Sequence, residues 1–107
     1  MKPAIALIAL GLLAAASGRL LAQEDGDPRR GGTLAREVCA VCHAVEKGRS
    51  SPNPDAPTFE AIASVHGMSI RALAVALRTP HRTMPNLVLE GDELNNIIAY
   101  ILSLKGR

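Results

Sequence analysis

Apolar residues fill one stretch near the start of the chain and recur at helical spacing near its end. The first stretch runs from Ala4 to Ala16 and follows a positive charge at Lys2. A charged start before a short apolar run is the pattern of a secretory signal peptide. The run is too short for a membrane span, which needs about twenty residues. We therefore predict that residues 1–22 are a cleaved signal peptide and that Gln23 starts the mature chain; cleavage after Ala16 is the alternative.

The segment after the apolar run is polar and leads into a first helix. Residues 23–30 are rich in charge and contain Gly and Pro, which predicts a flexible lead-in. No helix breaker occurs from Thr33 to Cys39, which predicts a short N-terminal helix that ends at a pair of cysteines. We place the folded domain at residues 31–107.

The middle of the chain alternates between loop and helix signals. Residues 46–57 contain three prolines and several small polar residues, a composition that favours a compact surface loop. Thr58 opens a short helical turn that reaches Ser64. Ser69 is placed to cap a third helix, which Pro80 ends because proline cannot continue a helix.

The last helix has the clearest periodicity. Asp92 and Glu93 occupy its first turn, where negative charge interacts favourably with the helix dipole. Apolar residues then recur on one helical face, at Leu94, Ile97, Ile98, Ile101 and Leu102. No stretch alternates between polar and apolar residues as a strand does. The pattern as a whole predicts a single all-α domain of about four short helices.

Charge and composition narrow the possible functions. Once residues 1–22 are removed, ten Lys and Arg balance ten Asp and Glu, so the mature chain has no net charge with which to favour nucleic acid or an anionic membrane. The chain has one Phe, one Tyr and no Trp. Domains this small usually need a further stabilising element, such as disulfides or a bound group, in addition to their own core. We predict that a prosthetic group is this element.

Residues 39–43 read Cys-Ala-Val-Cys-His, which is the C-x-x-C-H pattern of covalent haem attachment. About one helical turn separates the two sulfurs, so Cys39 and Cys42 can each form a thioether with one haem vinyl group. His43 follows directly and can present an imidazole nitrogen to the iron. The pattern therefore predicts one covalently bound haem c, with Cys39, Cys42 and His43 as its binding residues.

Two other uses of a C-x-x-C pair fit the sequence less well. A dithiol redox centre is typical of a βαβ context, which the helical pattern does not provide. A structural zinc site needs a second pair of ligands at suitable spacing, and His66 and His81 are fifteen residues apart.

The second axial ligand of the iron is predicted to be Met84. This residue lies in a stretch that Pro80 and Pro85 keep from forming a helix, and such a loop can present a thioether. Met68 precedes a helix start, where a structural role is expected. His81, three residues before Met84, is the alternative ligand, and an open site is another. A thioether favours ferrous iron and raises the reduction potential, whereas a second imidazole lowers it.

These motifs, taken together, resemble the small soluble class I cytochromes c over about residues 31–105. The matching pieces follow the family's order and are residues 39–43, 56–59, 83–85 and 98–101. The resemblance implies a small cytochrome c fold in which the Pro57 carbonyl accepts a hydrogen bond from the second ring nitrogen of His43. It also implies that the terminal helices cross, with Gly32 or a neighbour against Tyr100; a Tyr100 hydroxyl in water is the alternative.

Arginines are expected near the haem because aromatic residues are scarce. Arg71, Arg78 and Arg82 lie in the segment that leads to Met84. One of them could pair with a haem propionate while the others present a basic rim to an acidic partner. Solvated helix faces are the simpler alternative.

The function that the resemblance implies is single-electron transfer between redox partner proteins in the periplasm, by a carrier that is not itself an enzyme. After cleavage of the signal we expect no stable membrane insertion, and either a monomer or a subunit of an oxidoreductase complex. One alternative function is a haem subunit of a larger dehydrogenase or oxidase. Another is a haem enzyme or gas sensor with a displaceable sixth ligand.

Overall fold

The computed structural model describes residues 26–81 and 83–106. The predicted signal peptide, residues 23–25 and Arg82 lie outside the described residues. Within the described part of the chain all regular structure is helical and no strand occurs, which confirms the predicted all-α fold. The elements are α1 (Pro28–Leu34), a π-helical turn that continues it (Ala35–Cys39), α2 (Phe59–Ala63), α3 (Ile70–Arg78) and α4 (Asp92–Ser103).

Helix α1 begins earlier than the sequence pattern indicated. It starts at Pro28, so the prediction of a flexible lead-in over residues 23–30 needs correction at its C-terminal end. The Asp27 carboxylate accepts a hydrogen bond from the Arg29 N–H at 2.9 Å, and Pro28 fits the first helical position because its missing N–H is not needed there. The Asp27 N–H also donates to Asn96 Oδ1 at 2.8 Å, which ties the start of α1 to α4.

The two terminal helices cross at a pair of glycines. Gly31 and Gly32 are buried in α1 where it packs against α4. A Cβ on Gly31 would overlap the backbone carbonyl of Asn96, and one on Gly32 would lie 2.9 Å from Tyr100 Cε1. Glycine normally weakens a helix interior, so its use here reflects the close approach of the two backbones. The implied crossing of the terminal helices at Tyr100 is therefore confirmed.

Helix α4 supplies the largest share of the core. Its buried residues are Leu94, Ile97, Ile98 and Ile101, which are four of the five positions that the periodicity predicts; the fifth, Leu102, is partly buried. Phe59 and Ala63 from α2 and Leu73 from α3 pack into the same cluster. Full burial of each large aliphatic side chain contributes about 1.5–3 kcal/mol to folding. The short helices α2 and α3 are thus held by packing on α4 rather than by their own length.

Side-chain caps set the starts of the two short helices as predicted. Thr58 Oγ1 accepts from the Ala61 N–H at 3.0 Å at the start of α2, and Ser69 Oγ accepts from the Ala72 N–H at 3.1 Å at the start of α3. Each such cap is worth about 1 kcal/mol. Among residues 26–81 and 83–106, none of the helices combines the length and the apolar character needed to cross a membrane.

Candidate haem-binding site

The backbone around the two cysteines forms two successive turns of different width. The Ala40 N–H donates to the Ala35 carbonyl at 3.0 Å, an i to i+5 bond that makes the wider π-helical turn. The N–H groups of Cys42 and His43 then both donate to the Cys39 carbonyl, at 3.2 and 2.9 Å. One carbonyl thus closes the turn that holds the three residues together. Both thiols are free and half-buried, as a site for two thioether bonds requires.

The imidazole of His43 is held by one backbone oxygen. Its Nδ1 lies 2.6 Å from the Pro57 carbonyl oxygen, which is the contact that the resemblance implies. A carbonyl can only accept, so Nδ1 carries the proton and donates. In the neutral ring the other nitrogen, Nε2, is then the unprotonated one and has the lone pair that a metal ion needs.

A set of hydrogen bonds holds Pro57 in place relative to the cysteine motif. The Phe59 N–H donates to the Ala44 carbonyl at 2.9 Å, one residue after His43. The Ala44 N–H donates to Ser51 Oγ at 3.0 Å, so the loop is also fastened near its middle. The surface loop predicted over residues 46–57 is therefore the element that carries the carbonyl partner of His43.

Phe59 is the only Phe of the chain and Tyr100 the only Tyr. The Phe59 ring neighbours both the imidazole of His43 and the ring of Tyr100. The ring centroids of His43 and Phe59 are 5.4 Å apart, and those of Phe59 and Tyr100 are 6.5 Å apart. Both pairs are tilted, which is a favourable aromatic geometry. Phe59 belongs to a segment that resembles the family, but the sequence pattern predicts no role for it. Its position two residues after Pro57 is the sequence signal that could have indicated a place beside His43.

The Tyr100 hydroxyl is not left to water. It donates to the Val45 carbonyl at 2.6 Å, across fifty-five residues of sequence. The alternative of a solvated hydroxyl is therefore wrong. This bond joins α4 to the residue that lies two positions after His43.

Met84 lies in the loop between α3 and α4. It is half-buried and lines a cavity of about 220 Å³ together with the end of α3 and residues 85–88. His81 lines the same cavity, whereas Cys39, Cys42 and His43 are not among its lining residues. Because the structure does not join Met84 and His43 in one cavity, their pairing as axial ligands stays a prediction.

The other side chains considered as iron ligands or as partners of the haem propionates are exposed. Arg71, Arg78, His66 and His81 all have high solvent exposure, and Arg78 lies on the wall of the Met84 cavity. No carboxylate pairs with Arg71 or Arg78 in the described part of the chain, so neither is committed to a structural ion pair. The roles predicted for the arginines stay predictions.

Burial raises the pKa of the Cys39 thiol. Before haem attachment this cysteine is therefore protonated at neutral pH. The thiolate is the form that exchanges with disulfides, so the Cys39 thiol should exchange more slowly than an exposed cysteine.

The single tyrosine provides a direct check of this geometry. Burial raises the pKa of Tyr100, while Arg36 lowers it and Glu46 raises it. The latter two side chains lie 3.8 Å apart, so their effects largely offset each other. We expect the near-ultraviolet phenolate absorbance to appear only above about pH 10, the ordinary tyrosine value.

The stability consequence of that shift follows from its sign. The fold favours the neutral phenol, so the contribution of Tyr100 is fully present below its unfolded pKa and is lost as the pH rises through its folded pKa. The free energy of unfolding should therefore fall as the phenolate signal appears. A phenolate titration at the ordinary value, with the fold intact, would contradict the burial of the Tyr100 side chain.

The thiols, the imidazole and their surroundings fit a covalently bound haem. Two free sulfurs are available for covalent attachment. One imidazole nitrogen is available to iron, because the bond to Pro57 fixes the tautomer of the ring. Partly buried apolar side chains lie at the edge of the core, and they include Ala40, Met68, Leu77 and Leu89. These can contact a large apolar ring without exposing the core itself.

Comparison with known proteins identifies the class to which this fold and site belong. The family model for cytochrome c matches residues 28–105. The chain therefore belongs to the cytochrome c family: it is a monohaem electron carrier with covalently bound haem c and its iron, and Cys39 and Cys42 fit the haem-attachment motif.

Among known proteins, the chain is similar to cytochrome c-552 of Bradyrhizobium diazoefficiens. The two are 37% identical over 93 residues, which cover 87% of this chain and 86% of the relative. No solved structure gives a significant match.

Proposed function

We propose that the chain is a periplasmic carrier of single electrons whose haem iron is ligated by His43 and Met84. The observation that carries the proposal is the 2.6 Å contact between His43 Nδ1 and the Pro57 carbonyl, next to two free cysteine thiols. This contact assigns the proton to Nδ1 and leaves Nε2 for iron. Haem supplies the reversible one-electron chemistry, and the residues of the chain set its reduction potential.

In this proposal the hydrogen bond to Pro57 makes His43 a stronger ligand of the iron. A hydrogen bond from Nδ1 to a carbonyl makes Nε2 more basic and fixes the ring orientation. A more basic ligand stabilises ferric iron and lowers the potential. The hydrogen bonds from the Phe59 N–H to the Ala44 carbonyl and from the Ala44 N–H to Ser51 Oγ keep the Pro57 carbonyl in reach.

Met84 provides the opposing influence. Its thioether is soft and neutral and favours ferrous iron. The side chain is half-buried in a loop that two prolines restrict, so a fixed position costs little further entropy. With two protein ligands the iron changes charge without binding or releasing a substrate, which suits a carrier.

The sequence around the site supports transfer to other proteins outside the cytoplasm. Val38 and Val41 flank the attachment cysteines and are 39% and 77% exposed. They leave the attachment edge uncovered by the chain itself, so a redox partner protein can approach it. The apolar run at residues 4–16 has the form of an export signal, which agrees with a periplasmic location.

A second candidate ligand is favoured by one observation. His81 lines the same cavity as Met84, so an imidazole is available if the thioether is not used. Ligation by His81 would give a carrier of lower potential. An iron without either ligand would suit a gas sensor or haem enzyme.

The test is the visible spectrum of the mature protein with haem attached, recorded in both oxidation states. We expect a low-spin spectrum and, in the oxidised form, the weak long-wavelength band of methionine bound to ferric iron. A low-spin spectrum without the band would assign the ligand to His81. A high-spin spectrum, with rapid carbon monoxide binding after reduction, would replace the carrier proposal with the sensor.

A further inference from the structure

The aromatic residues Phe59 and Tyr100 are both used on the imidazole side of the site. Phe59 is 4% exposed, and its ring lies between those of His43 and Tyr100. Core filling alone could be achieved with aliphatic residues, which make up the rest of this core. Both aromatic rings instead belong to one series of contacts that ends at His43, which calls for an explanation specific to that histidine.

Phe59 restrains His43 from two directions. Its ring is 5.4 Å from the imidazole, which limits rotation of His43 away from Pro57. Its N–H binds the Ala44 carbonyl at 2.9 Å, so the backbone on either side of the Nδ1 contact is joined. A change at this position would therefore alter both the ring of His43 and the carbonyl that it meets.

Tyr100 restrains the same group from α4. Its hydroxyl binds the Val45 carbonyl at 2.6 Å, and its ring lies against Phe59 and over Gly32. The backbone after His43 is thereby fixed to the crossing of α1 and α4. Tyr100 does not touch the imidazole, and any effect it has on His43 passes through Phe59 or through Val45.

From these contacts we infer that Phe59 and Tyr100 are positioning residues that hold the His43 Nδ1–H on the Pro57 carbonyl and thereby keep the reduction potential below the value of a loosely held imidazole. The inference rests on the proposed ligation of iron by His43. Its physical basis is that a shorter, more rigid Nδ1–H···O bond makes the ligand more basic and favours ferric iron.

The variants that test this separate the hydroxyl from the ring. Tyr100→Phe removes only the bond to Val45 and keeps the aromatic ring. Phe59→Leu removes the ring against the imidazole and keeps an apolar side chain. The matched control is Asn96→Ala, which removes a different bond of α4, the one that Asn96 Oδ1 accepts from the Asp27 N–H at the start of α1, and leaves the Tyr100 hydroxyl and both aromatic rings in place.

The measurements are the midpoint potential and the proton spectrum of the ferric protein. We expect the potential to rise in Tyr100→Phe and to rise further in Phe59→Leu, with faster solvent exchange of the His43 Nδ1 proton in both. Asn96→Ala should lose stability but keep the wild-type potential. In the double variant the two rises should be less than additive, because Tyr100 acts partly through Phe59.

Each possible failure has a distinct result. Unchanged potential and exchange in Tyr100→Phe and Phe59→Leu would overturn the inference, and so would an equal rise in Asn96→Ala, since potential would then follow stability alone. If His43 is not the iron ligand, its ring protons will lack the large paramagnetic shifts already in the wild-type protein. That outcome would reject the proposed ligation before any variant is compared.

Discussion

Replacement of Gly31 by Ala is expected to destabilise the haem-loaded protein by about 3 kcal/mol. Two effects oppose each other at this position. Alanine is the better helix former by about 1 kcal/mol, which alone would stabilise α1. The new Cβ would, however, overlap the backbone carbonyl of Asn96, and a backbone atom cannot rotate away as a side chain can. The helices must separate, and the packing of α1 on α4 is lost along its length.

Denaturant unfolding followed by the haem absorbance measures this loss. Gly106→Ala is the matched control, because a Cβ there meets only Ser64 Oγ at 3.5 Å, an ordinary contact. Its stability should stay near that of the wild type. Equal or higher stability in Gly31→Ala would mean that helix propensity dominates and that the crossing is looser than the structure shows.

The Met84→Leu variant is expected to show the largest change in redox behaviour. Leucine has nearly the volume of methionine, so the change in packing alone should cost less than about 1.5 kcal/mol. The sulfur ligand is removed, and ferrous iron loses its preferred partner. Since axial ligands shift haem potentials over about 0.8 V, we expect a fall on the order of 0.1 V. The long-wavelength band should disappear, and reduced iron should bind carbon monoxide.

Met68→Leu is the matched control for this experiment. Met68 is the other methionine of the described residues, is also half-buried, and packs against the core beside α3. Its replacement should leave spectrum and potential unchanged. If Met84→Leu also kept both, Met84 would be excluded as a ligand. Addition of His81→Ala then separates ligation by His81 from an open site, because the spin state changes only if the imidazole of His81 was the ligand.

The helices that the sequence predicted best are those with local signals. Thr58 and Ser69 are good capping residues, and each is followed by helix-compatible residues, so the starts of α2 and α3 could be located. The four buried residues of α4 follow one helical face. In each case the information lies within a few positions of the residue concerned.

The start of α1 was misplaced because its glycines are ambiguous. Gly31 and Gly32 usually indicate a break in helix, whereas here they allow the contact with α4. Asp27 and Pro28 did contain a local start signal, and greater weight on it would have corrected the boundary. The π-helical turn at Ala35–Cys39 has no comparable signal in the sequence.

The candidate site was predictable where chemistry requires a fixed spacing. Cys39, Cys42 and His43 are separated as thioether attachment demands, so the pattern alone identifies them. The bond from Tyr100 to Val45 and the place of Phe59 beside His43 depend on how distant segments pack. Sequence periodicity can show that Tyr100 lies on a helix but does not specify which carbonyl its hydroxyl meets.

The crossing of α1 and α4 also means that the first helix of the fold depends on the last. In the described residues α1 packs mainly on α4, and a helix this short is marginal by itself. The roughly sixty residues from His43 to the end of α4 must therefore be present before the backbone around the cysteine motif is fixed. On a chain that has not yet brought α4 against α1 both thiols stay reachable, so attachment of haem can precede folding.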